Sequence, residues 1–385
     1  MKRHHSSFLF LVFAALLLAG CATQTPRQQA IDEPARGSVL RSLKLDPILE
    51  ERILALDPEH VSERDLSTTL SEVPAPRIVL LHGGVYPVHL LMESTGRFFT
   101  RMGYPERRIR DPYSGEWSYS PYDDSTKVAG LIAWEYEHSG LRPMLIGHSQ
   151  GGIQAVKVLR ELDGQMSRSL AVYNPLKQKF EQRDFILDPY TGQTVGVVHG
   201  VKVSYASVVG AGGSALFLPN QWNMIGHLTA IPNSVEDFTG FFITGDPIAW
   251  TLGGPTDATA YRHNGTASVR NVTLPITYSH VFVPAVSDLA SDAGTRRWLD
   301  DYRPDSKADT SRLPLEAQSH VLWAGDVWYS VKKHWVLELQ RLVRAHQELA
   351  PPRTITAEPS GQTPDDVSDS GASGTSRPPA AATMQ

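Results

Sequence analysis

The stretch PMLIGHSQGGIQAVKVLREL, residues 143–162, restricts this chain more than any other. An apolar run ends in Gly-His-Ser-Gln-Gly-Gly, after which Ala155, Val158, Leu159 and Leu162 recur at helical spacing. A strand must therefore become a helix within a few residues. So tight a turn drives neighbouring side chains together. Glycines at 147 and 151 remove the collision and let Ser149 project outward. The helix that follows aims backbone N–H groups and the positive end of its dipole at the space beside the serine.

The flanking sequence alternates in the same way. RIVLLHGG (77–84) reads as a buried strand ending in a glycine turn, and VHLLMESTGRFFTRMG (88–103) as a helix stopped by Gly103. RRIRD (107–111) is a weak strand. STKVAGLIAWEYEHSG (125–140) is a helix capped by Ser125 and stopped by Gly140, and SLAVYN (169–174) is a further strand. This order predicts an α/β fold, a mostly parallel sheet with crossover helices on both faces. From about 176 to 235 the rhythm breaks. Within it VKVSYASVV (201–209) alternates like a strand and GAGGSALFLPNQWNM (210–224) is glycine-rich and then apolar; the block reads as an insertion over the sheet, a cap or lid. The rhythm resumes with GFFITGDPIAW (240–250), a strand ending at Gly245-Asp246-Pro247, and LPITYSHVFVP (274–284) reads as another strand. The last helix starts near Asp326 and carries Trp328, Val331, Trp335, Leu339 and Leu342 on one face. LDPILEERILAL (45–56) reads as a short amphipathic helix.

The two ends differ from this body. Residues 1–24, MKRHHSSFLFLVFAALLLAGCATQ, have a basic start, an apolar stretch from Phe8 to Leu18, and small residues, the pattern of a secretory signal too short for a membrane span. LAGC, Leu18 to Cys21, resembles the bacterial lipobox. That resemblance implies cleavage before Cys21, acylation of Cys21, membrane attachment and, with Ala22 rather than Asp next, sorting to the outer membrane. Expected boundaries are thus a signal over 1–20, a polar tether over 21–42, a catalytic-sized domain over 43–350, and a disordered tail over 351–385. The tail is rich in Pro, Ser, Thr, Gly and Asp and poor in large apolar residues, so burial cannot offset its ordering entropy. Cys21 is the single cysteine, which excludes an internal disulfide and thiol catalysis. A formal charge of −5, without a long basic run, gives nucleic-acid binding no support. GAGGSA (210–215) lacks the third glycine of a dinucleotide loop and is followed by Pro219. No HExxH, P-loop or EF-hand pattern occurs, so neither metal nor cofactor is expected.

A serine hydroxyl is a poor nucleophile near neutral pH and needs a base to take its proton and a carboxylate to orient that base. Asp246 sits where a strand ends; Asp237 precedes that strand and Asp288 follows it at a distance. Among His263, His280, His320, His334 and His346, the preferred base is His320, which directly precedes a helix. His280, in YSHVF, is its rival. The oxyanion of an acyl-transfer intermediate needs two converging N–H donors. Gln150 supplies one, and the HGG loop the other, from Gly84 or else Val85. His82 reads as a structural histidine holding that loop.

On HGG at 82–84, GHSQGG at 147–152, GDPI at 245–248 and SHVLW at 319–323, the chain resembles the α/β-hydrolases, in particular serine lipases and esterases. Val85 stands where the esterase HGGG pattern has its third glycine. The resemblance covers about 75–348 and implies Ser149 as nucleophile, Asp246 as acid and His320 as base, acting on a small-molecule or lipid ester through an acyl-serine. Acyltransferase or thioesterase activity with the same three residues, and a non-catalytic surface-binding lipoprotein, are the alternatives. The aromatic loop DPYSGEWSYSPYDD (111–124) and ALFLP (215–219) are expected to frame the pocket or complete the core.

Overall fold

The computed structural model describes Leu40 and residues 43–251, 253–305 and 308–349. The expected signal, most of the tether and the expected tail lie outside the described residues. Five strands form the central sheet: β1 (Ile78–Leu81), β2 (Met144–His148), β3 (Val203–Val209), β4 (Val235–Ile243) and β5 (Ser268–Leu274). Their spatial order equals their chain order, and every neighbouring pair is parallel. Register is continuous across the middle, with Ile146 beside Ser207 and Ser207 beside Thr239.

Successive residues of a strand face opposite ways, so each strand feeds two cores. Ile78, Leu80, Met144, Ile146, Tyr205, Val209, Phe241 and Ile243 pack into one. There they meet helices α1 (Pro47–Ala55), α3 (Tyr86–Arg101) and α7 (Val321–Leu349). Val79, Leu81, Leu145, Ala206, Val208, Phe238 and Phe242 pack into the other, against α4 (Ser125–Ser139) and α5 (Gln150–Leu162). The short helices α2 (Glu63–Thr68) and α6 (Ala293–Asp301) complete the first side. Helices on both faces of a parallel sheet, with a strand–serine–helix turn at its centre, make this the α/β-hydrolase fold. The expected apolar face of α7 is present: Trp328, Val331, Trp335, Leu339 and Leu342 are all fully buried.

Polar ties set the positions of these elements. Glu338 of α7 is fully buried and accepts hydrogen bonds from the backbone N–H of Arg142 at 2.7 Å and from its Nε at 2.8 Å. Arg142 also pairs with Glu236. Because Arg142 lies just before β2, this fork anchors the strand that leads to Ser149. Asp124, not Ser125, caps α4, accepting from Thr126 N–H at 3.0 Å. Ser125 instead donates to Glu161 of α5 at 2.8 Å.

Four expected elements differ. RRIRD begins inside a 3-10 turn, Glu106–Arg108, rather than a strand, with Ile109 its one apolar side chain, fully buried. SLAVYN yields only Tyr173–Asn174, paired antiparallel with Lys179–Phe180 outside the central sheet. The insertion expected over 176–235 contains a central strand, since Val203–Val209 is buried along its whole length between β2 and β4. VKVSYASVV is a strand, as its alternation predicts, but it lies within the sheet rather than over it. Finally, β5 ends at Leu274, and residues 275–284, expected as strand, form a looped segment.

Candidate active site

Ser149 stands between β2 and α5 with φ 54° and ψ −122°, a left-handed backbone that costs a non-glycine residue on the order of 1–3 kcal/mol. Its N–H donates to Val209 at the end of β3, at 2.9 Å. The glycines make the turn feasible. A Cβ on Gly147 would lie 2.5 Å from the carbonyl oxygen of Gly151, and one on Gly151 would lie 2.3 Å from that of Leu81. Both obstacles are backbone and cannot rotate aside.

Asp246 lies in the turn after β4, where its backbone exchanges hydrogen bonds with Thr251 at 3.1 and 3.0 Å. Its Oδ1 accepts from the N–H groups of Ile248 at 2.8 Å and Ala249 at 3.1 Å, leaving Oδ2 for a second partner. That partner is His280: its Nδ1 is 2.6 Å from Asp246 Oδ2, and its Nε2 is 2.9 Å from Ser149 Oγ. All three side chains are buried or nearly so. Burial pushes the Asp246 carboxyl up, but the His280 hydrogen bond and charge, with the two N–H groups, outweigh it and hold the carboxyl below the usual carboxylate range.

The structure therefore brings Ser149 and Asp246 together with His280, not with the expected base His320. The reason lies in where β5 stops. Because the strand ends at Leu274, the following segment is free to loop over the end of the sheet and deliver His280 to the serine. His320 is the last residue before α7, and its ring sits by Tyr278, with centroids 6.5 Å apart. Burial lowers its pKa, partly opposed by hydrogen bonding to the backbone of Val283 and Phe282. It packs beside the loop that carries His280, whose Tyr278 hydroxyl accepts from Leu322 N–H at 2.9 Å. The same loop is fastened by Thr95, whose hydroxyl donates to Pro284 O at 2.9 Å, and by Ser94, which accepts from Ser287 N–H at 2.8 Å.

The other histidines are elsewhere. His334 pairs with Asp237 at 3.0 Å, His346 with Glu50 at 2.9 Å, and His263 lies exposed in the short pair with Ile231. His82 bonds to the Gly83 carbonyl at 2.7 Å, and burial drives its pKa down to about 4.

Gln150 is the first residue of α5, and Gly84 lies against it. A Cβ on Gly84 would fall 2.0 Å from Gln150 Oε1, and Tyr122 OH donates to Gly84 O at 3.0 Å. Among the described residues neither the Gly84 nor the Gln150 N–H donates to another backbone carbonyl outside helices and strands. The loops that carry the site expose large apolar side chains: Phe282 beside His280, Ile276 against Gly245, and Trp250 in the Asp246 turn, its ring 5.6 Å from Phe217. Among the described residues no cluster of His, Cys, Asp or Glu is arranged to hold a metal ion, and no helix is long and apolar enough to cross a membrane.

No protein-family model matches the chain. No curated protein matches it either. Among solved structures, a Pyrobaculum calidifontis esterase is 13% identical with a TM-score of 0.33, the match covering 67% of this chain and 97% of that one. Aspergillus fumigatus lipase B is 14% identical with a TM-score of 0.31, the match covering 68% of this chain and 63% of that one.

Proposed function

We propose that this chain is a serine hydrolase that cleaves carboxylic esters through an acyl-serine intermediate. The observation that carries this reading is the hydrogen-bonded series Ser149–His280–Asp246, at 2.9 and 2.6 Å, on a nucleophile turn. With Nδ1–H donated to Asp246, His280 presents a lone pair at Nε2 to the Ser149 proton. The serine oxygen attacks the ester carbonyl as that proton moves to Nε2, and Asp246 stabilises the imidazolium. The N–H groups of Gln150 and Gly84 receive the oxyanion. Nε2–H then protonates the leaving alcohol. Water, deprotonated by the same nitrogen, releases the acid and regenerates the serine. The exposed apolar side chains on the site loops favour an ester with an apolar acyl group. On its lipobox-like sequence, Cys21 is proposed to carry the acyl chains that tether the enzyme to the outer membrane.

Fluorophosphonate labelling tests the assignment. Wild type and His320→Gln are expected to label, whereas Ser149→Ala and His280→Gln are not, or label on the order of a hundredfold more slowly. Folded wild type that does not react, or equal labelling of Ser149→Ala, would refute it.

A further inference from the structure

His148 precedes the nucleophile and is fully buried at the end of β2, where it pairs in register with Val209 of β3. Its Nε2 lies 2.6 Å from the backbone carbonyl oxygen of His280. A carbonyl only accepts, so Nε2 carries the proton. Nδ1 then carries the lone pair, and among the described residues it has no partner. The titratable groups facing this ring are His280, at 5.3 Å between centroids, together with Asp246 and His82. Burial, helped by the neighbouring His280, pushes the His148 pKa down to about 3, so the ring stays neutral and the donor is retained throughout the working range.

The contact has an unusual connectivity. Ser149 Oγ meets the His280 ring, the His280 backbone meets the His148 ring, and one peptide bond joins His148 to Ser149. The nucleophile and its partner are thus closed into a ring of two hydrogen bonds and one covalent link. One side of that ring is a central strand and the other a loop without sheet partners. Other ties on the loop attach at Tyr278, whose hydroxyl accepts from Leu322 N–H at 2.9 Å, and at Pro284 and Ser287.

We infer that His148 is a positioning residue, whose Nε2–H clamps the His280 backbone to the nucleophile strand and so sets the imidazole at proton-transfer distance from Ser149. This rests on the ester-hydrolase reading for its kinetic consequence, but not for its structural one. A misplaced reacting group affects the chemical step more than substrate binding.

Steady-state kinetics on p-nitrophenyl butyrate would be compared for wild type, His148→Phe and His148→Gln. His148→Phe keeps a ring but has no donor, and is expected to lower kcat by at least about tenfold with KM within about twofold. His148→Gln can present a side-chain N–H and is expected to recover most of kcat. Wild-type kcat in folded His148→Phe, or a change confined to KM, would overturn the clamp. Nitrogen-15 imidazole NMR of the unmodified protein provides a test that survives if a variant does not fold. His148 is expected as the Nε2–H tautomer without titration between pH 5 and 8, and an Nδ1–H tautomer or titration in that range would also overturn it. The NMR result does not depend on turnover, so failure of the clamp and failure of the hydrolase reading are separable.

Discussion

Replacing Asp246 with Asn changes one atom and should disable the site while leaving its shape. Asp246 Oδ1 accepts two backbone N–H groups, from Ile248 and Ala249. An asparagine must keep its carbonyl oxygen there, because an NH2 group cannot accept. The NH2 is then directed at His280 Nδ1, where Asp246 Oδ2 now lies at 2.6 Å. A donor facing Nδ1 makes that nitrogen the acceptor and moves the imidazole proton to Nε2. This is the atom that must take the Ser149 proton. The expected loss in kcat is about 10⁴-fold, which at 1.36 kcal/mol per decade is about 5.4 kcal/mol of transition-state stabilisation. Stability changes in a pH-dependent way. The Asp246 carboxyl is depressed in the folded state. It therefore contributes stability above the unfolded value of about 4, and that contribution is lost as pH falls through the folded one. The stability difference between wild type and Asp246→Asn should be steady at pH 6–7 and shrink below about pH 4. Initial rates on p-nitrophenyl butyrate measure the first effect, and urea unfolding at pH 6.5 and 3.5 the second. Activity of Asp246→Asn within tenfold of wild type would show that Asp246 does not set the tautomer.

Two further substitutions test the scaffold. Gly151→Ala places a Cβ 2.3 Å from Leu81 O and 2.4 Å from His82 O, so the turn must open. Urea unfolding should show destabilisation by about 1–3 kcal/mol or more, and an unchanged midpoint would refute the steric account. Glu338→Leu leaves Arg142 and Arg341 without their buried carboxylate. A loss of about 3–5 kcal/mol is expected in the same measurement, together with reduced esterase activity, since Arg142 leads into β2.

The nucleophile turn was legible because its requirements are local. Gly147, Ser149 and Gly151 lie within five residues, and the obstacles that exclude side chains follow from the strand-to-helix geometry itself. Asp246 was nearly as clear, since Gly245 and Pro247 mark the end of a strand. The base was not. TYSHVFVP is apolar and β-branched, so periodicity assigns it to a strand, yet Tyr278, Val283 and Val286 are buried from a loop, in the core beneath α3 and α7. The true strand, Ser268–Leu274, lies at the sheet edge and is only partly buried, so its apolar signal is weak. His320 is preferred on sequence because it directly precedes a helix, and the place of His280 in an expected strand keeps it second. The strand Val203–Val209 was legible from its alternation, but not its place at the centre of the sheet, which depends on pairing with the distant β2 and β4.

The sequence by itself determined an α/β chain with a serine on a tight turn and an acid at a strand end, because backbone sterics and hydrophobic period act over a few residues. Only the tertiary structure decided which histidine completes the series. Ser149 and His280 are separated by 131 positions in the chain. Their meeting depends on where β5 stops and on how His148, Ser94, Thr95 and Leu322 hold the loop beyond it, contacts between distant segments that no local pattern encodes.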